Sequence, residues 1–251
     1  MKALFRHPVR VVFRLLWLSA ELALAALNCA RWCGLSGKCS GSKRAAWLQR
    51  VSRRILGIFK TQIKTSGSIP KSGLLVSNHL SYVDILVIAS ITPAVFVAKR
   101  EVKGWPVFGF FARLAGTVFV DRERRTRVGQ TAGEIATALN HGALVVLFPE
   151  GTSSNGETVL PFKSSLLEPA TRQTHALFAS HIQYEIDDGD VREDICYWRE
   201  KPLLAHIINL LSKRTIKAEV RFTQLREAST DRKELAKQLH SEILRLKEAT
   251  V

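Results

Sequence analysis

The spacing of apolar and polar residues divides the chain into two parts. In the first part, an apolar run at 15–30 contains a single charged residue, Glu21, and is followed by a Gly/Ser-rich connector at 34–43. The next stretch repeats its apolar residues at helical spacing and keeps its arginines away from the centre of that face. We therefore predict two helices, at about 11–33 and 46–60, within an amino-terminal segment that covers the first 60 residues.

From about Lys64 onward, short apolar runs alternate with stretches of helical periodicity. This alternation is typical of an α/β fold, so we predict that residues 61–251 form a domain built on a mixed, largely parallel sheet flanked by helices. The predicted strands are 74–77, 95–98, 117–120, 143–148, 176–184 and 216–223. The predicted helices are 82–90, 106–114, 124–140, 203–213 and a final helix that opens at Asp231, with Glu234 in a capping-box position.

The first helix is short for a membrane span. Its 16 apolar-run residues rise about 24 Å, which is less than the roughly 30 Å hydrocarbon core. The polar residues around this run fall on one narrow stripe at 3.6 residues per turn: Arg10, Arg14, Glu21 and Asn28. An interfacial or partly inserted helix is therefore the preferred interpretation, and a single span stays open. Cleavage as a secretory signal is disfavoured because Arg31 directly follows the run.

Positive charge is concentrated where the chain is most apolar. The formal net charge is +15, and residues 1–60 hold 12 lysines and arginines against one acidic residue. A segment that is both basic and apolar favours an anionic membrane surface over nucleic acid. The rest of the chain shows no basic patch interleaved with aromatic residues, so we expect membrane lipids as partners and no nucleic acid.

The four cysteines are Cys29, Cys33, Cys39 and Cys196. None has the CxxC or CxxH spacing of a zinc site, so we expect no bound metal. The cysteines are interpreted as thiols in a reducing compartment, and a disulfide stays open.

An ionisable pair lies where the first predicted strand gives way to a helix. His79 follows the strand, and Asp84 comes five residues later. Histidine exchanges protons near neutral pH, and a carboxylate on its other ring nitrogen fixes the tautomer and stabilises the imidazolium. The simpler interpretation is that Ser81 and Asp84 cap the helix, and the two roles are compatible. Ser81 as a nucleophile has little support because no GxSxG motif surrounds it.

Two further polar loops are expected at the same edge of the sheet, since the carboxyl ends of parallel strands meet there. In the loop after the 143–148 strand, Gly151 either lets the backbone approach a ligand or marks an ordinary turn. After the 117–120 strand, Arg122 either binds a phosphate or carboxylate or is a solvated surface residue.

Three motifs resemble those of the glycerolipid acyltransferases of the lysophosphatidic acid acyltransferase type. Residues 78–84 read N-H-L-S-Y-V-D and match the family pattern N-H-x-S-x-x-D in full. Residues 116–122, an apolar strand ending in arginine after a glycine, are similar to the second motif. Residues 148–154, F-P-E-G-T-S-S, are similar to the third, F-P-E-G-T-R-S. The order and spacing of the motifs agree over about 64–184.

The resemblance implies a membrane-bound O-acyltransferase that moves a fatty acyl group from acyl-CoA or acyl-carrier protein to the free hydroxyl of a lysolipid, most simply lysophosphatidic acid. It implies that His79 is the general base and that Asp84 holds it, with no cofactor beyond the acyl donor. The catalytic domain would lie on the cytoplasmic face of the membrane. The residues expected to shape the turn or to position the acceptor are Asn78, Ser81, Lys99, Arg122, Glu150, Gly151, Thr152 and Ser153.

Two departures from the family pattern leave alternatives open. Ser153 stands where the family has an arginine that is associated with the phosphate of the acceptor. Either a nearby cation (Lys99, Arg100 or Lys163) compensates, or the acceptor is a different lysolipid, such as lyso-ornithine lipid. The fourth motif would fall at 176–185 without its usual proline. A non-catalytic peripheral lipid-binding protein of the same fold is the alternative of a different class.

Overall fold

The computed structural model describes residues 7–33, 39–120, 125–171, 175–199 and 201–249. The α-helices are α1 (Pro8–Cys33), α2 (Gly41–Ile58), α3 (Val83–Ile91), α4 (Phe108–Leu114), α5 (Arg125–Asn140), α6 (Val191–Asp194), α7 (Leu203–Ser212) and α8 (Arg232–Glu248). The strands are β1 (Thr61–Ser66), β2 (Gly73–Ser77), β3 (Val95–Lys99), β4 (Val118–Val120), β5 (Leu144–Leu147), β6 (Leu177–Ile186) and β7 (Ile216–Leu225). Two 3₁₀ helices are Arg100–Gly104 and Ser164–Ala170.

The strands of the described chain form one mixed sheet in the order β1-β7-β6-β2-β5-β3-β4. β2 lies in the middle and pairs in parallel with β5 and β6, so that Leu75 is opposite Val146 and Phe178. The β6–β7 pair is antiparallel, and the other pairs are parallel. The predicted α/β class with a largely parallel sheet is therefore confirmed. The edge strand β1 is an addition to the prediction, because its residues are mostly polar and exposed and give no apolar signal.

Apolar layers cover both faces of the sheet. Alternation along β2 sends Leu75 to one face and its neighbours Leu74 and Val76 to the other. The Leu75 layer includes residues from α1, α2 and α3, and the opposite layer includes residues from α5 and α8. All five residues of β2 are buried, as expected for a central strand with both faces covered.

α2 and α8 begin at side-chain caps. α8 begins at the predicted position, since Oδ1 of Asp231 accepts hydrogen bonds from the backbone N–H groups of Lys233 and Glu234, at 2.8 and 3.0 Å. The side chain of Ser40 accepts from the backbone N–H of Lys43, so α2 starts five residues before the predicted position. The connector between α1 and α2 is correspondingly shorter than the sequence suggested.

The two arginines of the polar stripe of α1 face the domain. Arg14 is buried and donates to the backbone carbonyls of Leu211 and Lys213, at 3.1 and 2.5 Å, at the carboxyl end of α7. One turn earlier, Arg10 donates to the carbonyl of Ser212 at 2.7 Å. These cations therefore satisfy carbonyl groups that a helix leaves unpaired at its end.

The middle of α1 is attached to α2. Glu21 is buried and accepts a hydrogen bond from the guanidinium of Arg54 at 3.2 Å. Further along, the indole of Trp47 donates to the carbonyl of Ala25 at 3.0 Å. The helix is thus attached to the domain along its length, and its apolar side is left facing outward: Val9, Val12, Phe13, Leu15, Leu16, Trp17, Leu24 and Leu27 are exposed.

Within the described residues, one helix, Pro8–Arg31, is long and apolar enough to cross a membrane. This finding supports membrane association of the amino-terminal segment. Its side-on attachment to α2 and α7 favours the interfacial arrangement over an independent span, because a span would carry α2 and α7 into the hydrocarbon with it.

The cysteines differ in part from the expectation. Cys29 and Cys196 are buried thiols, as predicted. Cys39, which precedes α2, is disulfide-bonded, so the thiol interpretation is wrong for this residue.

Candidate active site

The loop between β2 and α3 brings His79 against Asp84. Nδ1 of His79 lies 2.8 Å from Oδ2 of Asp84. The carboxylate is completely buried, whereas 19% of the His79 side chain is exposed. Because the strand ends at Ser77 and α3 begins at Val83, the imidazole projects from the carboxyl end of a central strand. The predicted ionisable pair therefore exists as a hydrogen-bonded pair at the edge of the sheet.

Asp84 also organises the backbone of this loop. Its Oδ2 accepts hydrogen bonds from the N–H groups of Leu80 and Ser81, at 2.6 and 2.9 Å. Asp84 thus combines the two interpretations of the sequence, since it binds the free N–H groups before α3 and holds the imidazole. The predicted cap by Ser81 is wrong, because Tyr82 is the N-cap residue and the Ser81 hydroxyl, although buried, has no hydrogen-bond partner among the described residues. The same observation removes the support for Ser81 as an activated nucleophile.

Sequence reasoning missed Tyr184, which completes the surroundings of Asp84. The phenol of Tyr184, on β6, donates a 2.7 Å hydrogen bond to Oδ1 of Asp84. Burial, followed by the negative charge of Asp84, raises the pKa of Tyr184 well above its usual value, so the phenol stays a donor. Asp84 therefore uses one oxygen for Tyr184 and the other for the imidazole and the loop backbone.

An aromatic ring supports the imidazole from the side. Phe148, directly after β5, stacks on His79 with 4.2 Å between ring centroids and 19° between planes. With Nδ1 at Asp84 and one face on Phe148, the ring has a fixed orientation, and Nε2 points away from Asp84.

Glu150 connects the loop after β5 to the loop that carries His79. Its Oε1 accepts from the backbone N–H of His79 at 2.7 Å, and its Oε2 accepts from the N–H of Leu160 at 3.1 Å. Burial raises the pKa of Glu150 to about 7, against the effect of these two hydrogen bonds and with a further contribution from Asp84. Because Glu150 is only 2% exposed, this geometry favours a structural role over the expected contact with the acceptor.

Asn78 connects the loop between β2 and α3 to β6. Its amide accepts from the N–H of Ile182 at 2.8 Å and donates to the carbonyl of the same residue at 3.0 Å. The side chain is 2% exposed. Asn78 therefore acts as an extra rung between β2 and β6, next to His79, and its amide faces the protein.

The loop after β5, which carries the third motif and is called the third loop, folds over the backbone of His79. Gly151 has a φ of 74°, a left-handed conformation that favours glycine. The N–H of Ser154 donates to the carbonyl of His79 at 2.9 Å. Ser153 is half-buried, and its hydroxyl donates to the carbonyl of Tyr197, while Thr152 is exposed. The serine at the position of the family arginine is thus directed to the 195–199 segment.

Lys99 lies at the margin of the site. Lys99 is exposed at the carboxyl end of β3, on the same edge of the sheet as His79. Arg122 lies outside the described residues, so its predicted contact with the acceptor stays a prediction.

A second histidine lies close to the loop between β2 and α3. Nδ1 of His206, on α7, lies 2.9 Å from the hydroxyl of Tyr82. Burial lowers the pKa of His206 to about 4, so the ring is neutral at physiological pH and accepts from the phenol. Edge-to-face contacts with Tyr197 and Phe108 complete an aromatic cluster around Tyr82. This cluster packs the loop that carries His79 against α4 and α7.

Comparison with known proteins places these loops in a family. The sequence model of the Acyltransferase family matches residues 60–179. A lyso-ornithine lipid O-acyltransferase of Brucella abortus is 34% identical over 217 residues, which cover 78% of this chain and 81% of the relative. The chain belongs to the acyltransferase family. In this acyltransferase, the loops that carry His79 and Glu150 lie inside the matched range, whereas Tyr184 lies beyond it.

Other relatives carry two kinds of name. A lyso-ornithine lipid O-acyltransferase of Pseudomonas aeruginosa is 30% identical over 236 residues, 90% of each chain. A 1-acyl-sn-glycerol-3-phosphate acyltransferase of Neisseria meningitidis is 31% identical over 178 residues, 66% of this chain and 69% of the relative. The crystal structure of the 1-acyl-sn-glycerophosphate acyltransferase from Thermotoga maritima aligns over all of both chains with a TM-score of 0.69 at 17% identity, which shows a shared fold.

Proposed function

We propose that this acyltransferase transfers a fatty acyl group from acyl-CoA or acyl-carrier protein to the free hydroxyl of a membrane lysolipid. The observation that carries the proposal is the 2.8 Å contact between Nδ1 of His79 and the buried carboxylate of Asp84. A clamped imidazole at the carboxyl end of a central strand is suited to general-base catalysis. The names of the relatives support the lysolipid as the acceptor class.

In the proposed reaction, Nε2 of His79 takes the proton of the acceptor hydroxyl while its oxygen attacks the carbonyl carbon of the thioester. The new ester C–O bond forms and the C–S bond breaks. The thiolate that leaves recovers the proton from the imidazolium, so the histidine ends neutral. Asp84 stabilises the imidazolium during this transfer, and no covalent acyl-enzyme is needed.

Two acceptors fit the chemistry, and lyso-ornithine lipid is the first candidate. The relatives that cover 78% and 90% of this chain are named for it. Ser153 supplies no positive charge and is directed to the carbonyl of Tyr197, an arrangement that suits an acceptor without a phosphomonoester. Lysophosphatidic acid is the second candidate, on the name of the Neisseria meningitidis relative.

The amino-terminal segment would hold the site at the bilayer. The exposed side of α1 is apolar, and its cationic side is satisfied by the domain. A helix of this kind lies in the interface with its apolar side in the lipid. We place the domain on the cytoplasmic face, where the acyl donors would be.

The decisive experiment is an acceptor panel with the purified full-length chain and a labelled acyl donor. Lyso-ornithine lipid and lysophosphatidic acid are compared in vesicles, with acyl-CoA and acyl-carrier protein as donors. We expect the wild type to form an O-acylated product and His79→Ala to lose at least about a thousandfold in rate, the scale of a missing general base. His141→Ala, which changes an exposed histidine on the opposite edge of the sheet, is the matched control.

Equal turnover by wild type and His79→Ala would remove the proposed mechanism. Binding to vesicles without product from any acceptor would instead support the non-catalytic lipid-binding alternative. Product from lysophosphatidic acid but not from lyso-ornithine lipid would reverse the order of the two candidates.

A further inference from the structure

The exposed apolar side chains outside α1 are concentrated at one place. Among the described residues, eight of the thirteen exposed large apolar side chains lie on α1, and five are exceptions. Three of those exceptions are neighbours: Trp105 is 38% exposed, Val107 52% and Phe110 45%. We call residues 105–110 the apolar ridge. Singly exposed apolar residues are ordinary, but a contiguous group marks an interaction site.

The backbone of the apolar ridge is strained at Val107, which is one of its exposed residues. Val107 has φ 62° and ψ −61°, and the N–H of Phe108 donates to the carbonyl of Pro106 at 2.6 Å. This is the γ-turn of positive φ, which is rare, and a β-branched residue is poorly suited to it. Strain of this kind persists where the surroundings impose it and is concentrated at functional positions.

Inward-facing residues at 108–111 hold the apolar ridge in place. Phe108 packs edge-to-face on Tyr82 with 5.2 Å between ring centroids, and Phe111 stacks on Trp47 of α2 at 6.3 Å. Gly109 fits tightly against the preceding 3₁₀ helix, since a Cβ there would lie 2.3 Å from the carbonyl oxygen of Lys103. The inward residues are thus packed, and the outward residues are presented by a rigid base.

The apolar ridge lies between α1 and the loop that carries His79. α4 contacts α1, so the apolar ridge lies next to the helix whose outer side is apolar. Through Phe108 and Tyr82 the ridge is also attached to the loop that carries His79, and Asp84 lies in the helical turn that follows. The surrounding stretch, 99–113, contains four basic residues and one acidic residue. Apolar tips within basic surroundings match the headgroup region of an anionic bilayer.

We propose that the apolar ridge inserts Trp105, Val107 and Phe110 into the same bilayer as α1 and so holds the mouth of the active site at the lipid surface. The inference rests on the proposed function, because it assigns the ridge to the delivery of a membrane acceptor. The occupant is a phospholipid bilayer that contains anionic lipid.

Insertion is tested by quenching of Trp105 fluorescence. The full-length chain and Trp105→Phe are bound to vesicles of phosphatidylcholine and phosphatidylglycerol, with and without bromine on the acyl chains. The difference between the two proteins isolates Trp105 from the other four tryptophans. We expect brominated lipid to quench this difference signal, and an unquenched signal would overturn the insertion.

Delivery of the acceptor is tested with Val107→Asp and a matched control, Ile69→Asp. Ile69 is 40% exposed in the loop before β2, at the opposite end of the sheet. For wild type and each variant, the rate of acylation is measured with a vesicle-embedded lysolipid and with a short-chain, water-soluble analogue. The ratio of the first rate to the second is then compared between the proteins. Aspartate tolerates positive φ better than valine, so the turn is retained.

We expect the ratio to fall at least about tenfold for Val107→Asp, because a charged side chain resists insertion, and to keep its wild-type value for Ile69→Asp. Equal ratios for the two variants would overturn the delivery role. A wild type that acylates neither acceptor would overturn the proposed function, and the Trp105 quenching would then decide membrane contact by itself.

Discussion

The phenol of Tyr184 donates a 2.7 Å hydrogen bond to Oδ1 of Asp84, the carboxylate that holds His79. The two residues are 100 positions apart, and β6 brings them together because it pairs with β2. The imidazole, the carboxylate and the phenol therefore form one chain of hydrogen bonds that runs from the site edge into the core. Orientation of the base depends on both ends of this chain.

Tyr184→Phe should lower kcat by on the order of tenfold, since a loosened carboxylate positions the imidazole less well. The lost hydrogen bond is worth about 1 kcal/mol, and without it more negative charge stays on Asp84. This charge favours the imidazolium of His79, so the acid limb of the kcat/KM profile should move to a pH that is higher by about 0.5–1 unit. The other ionisable groups that act on Asp84, Glu150 and Cys196, stay in place. The pH profile of purified enzyme is the measurement, and Tyr197→Phe is the control.

A merely structural role for Tyr184 would reduce the amount of folded enzyme and leave the pH profile in place. The control tyrosine donates its phenol to the carbonyl of Lys201 and makes no hydrogen bond to Asp84. Identical acid limbs for wild type and Tyr184→Phe would refute the positioning role.

Glu150 should make the protein less stable as the pH rises through the weakly acidic range. Its pKa is about 7 in the fold and near 4.5 in the unfolded chain, so between these values the native state keeps a proton that the unfolded state loses. The free energy of unfolding then falls with rising pH, by on the order of 3 kcal/mol in total, and levels off above about pH 7. Glu150→Gln should lack this dependence.

The comparison of Glu150→Gln with wild type is made by urea unfolding in detergent at several pH values. The stability difference between the two proteins should change steadily from pH 4.5 to pH 7 and then stay constant. Glu157→Gln, at an exposed carboxyl, controls for a simple change of net charge. Parallel stability curves for wild type and Glu150→Gln would contradict the assigned pKa shift.

Asn78→Ala should destabilise the fold and leave acceptor affinity alone. The substitution strips both hydrogen bonds from the backbone of Ile182, and two unsatisfied buried groups cost about 2–4 kcal/mol. KM for the lysolipid should match wild type once the folded fraction is measured. Asn155→Ala, in the third loop, removes an exposed contact with Glu157 and should cost less than about 1 kcal/mol. A raised KM at full stability would instead make Asn78 a substrate ligand.

Arg14→Ala should loosen α1 from the domain. The buried carbonyls of Leu211 and Lys213 would lose their donor, at a cost of about 1–3 kcal/mol for each unsatisfied group. Hydrogen exchange within α1 should therefore speed up while exchange within β2 stays slow. Arg31→Ala, at an exposed position of the same helix, is expected to change neither rate. Unchanged protection of α1 in Arg14→Ala would mean that its other contacts hold the helix without Arg14.

The sequence predicts the central strands and the His79–Asp84 pair because both depend on local patterns. A fully buried strand such as β2 reads as an apolar run, and a five-residue spacing across a strand-to-helix turn brings two side chains together. The edge strand β1 carries no such run, since most of its residues face solvent. Local pattern therefore predicts what is buried and close in sequence.

Tyr184 and Glu150 show what such patterns leave out. The contact of Tyr184 with Asp84 depends on strand pairing, and no spacing within the sequence encodes it. Glu150 lies in a motif loop, so an acceptor contact was the natural expectation, but its burial and two backbone partners became visible only in three dimensions. The hydrogen bonds between Asn78 and the backbone of Ile182 likewise depend on the pairing of β2 with β6.

The orientation of α1 bears on how a soluble form of the protein should be made. Cutting the chain before α2 would strip Arg10 and Arg14 from the end of α7 and expose bare carbonyls together with the apolar floor beneath the helix. Replacing outward residues such as Leu16 and Leu27 with glutamate or lysine would keep the contacts between α1 and α7 and change only the exposed side of the helix. Substituting the exposed residues of α1, and not deleting the helix, is thus the way to obtain an enzyme that stays in solution without detergent.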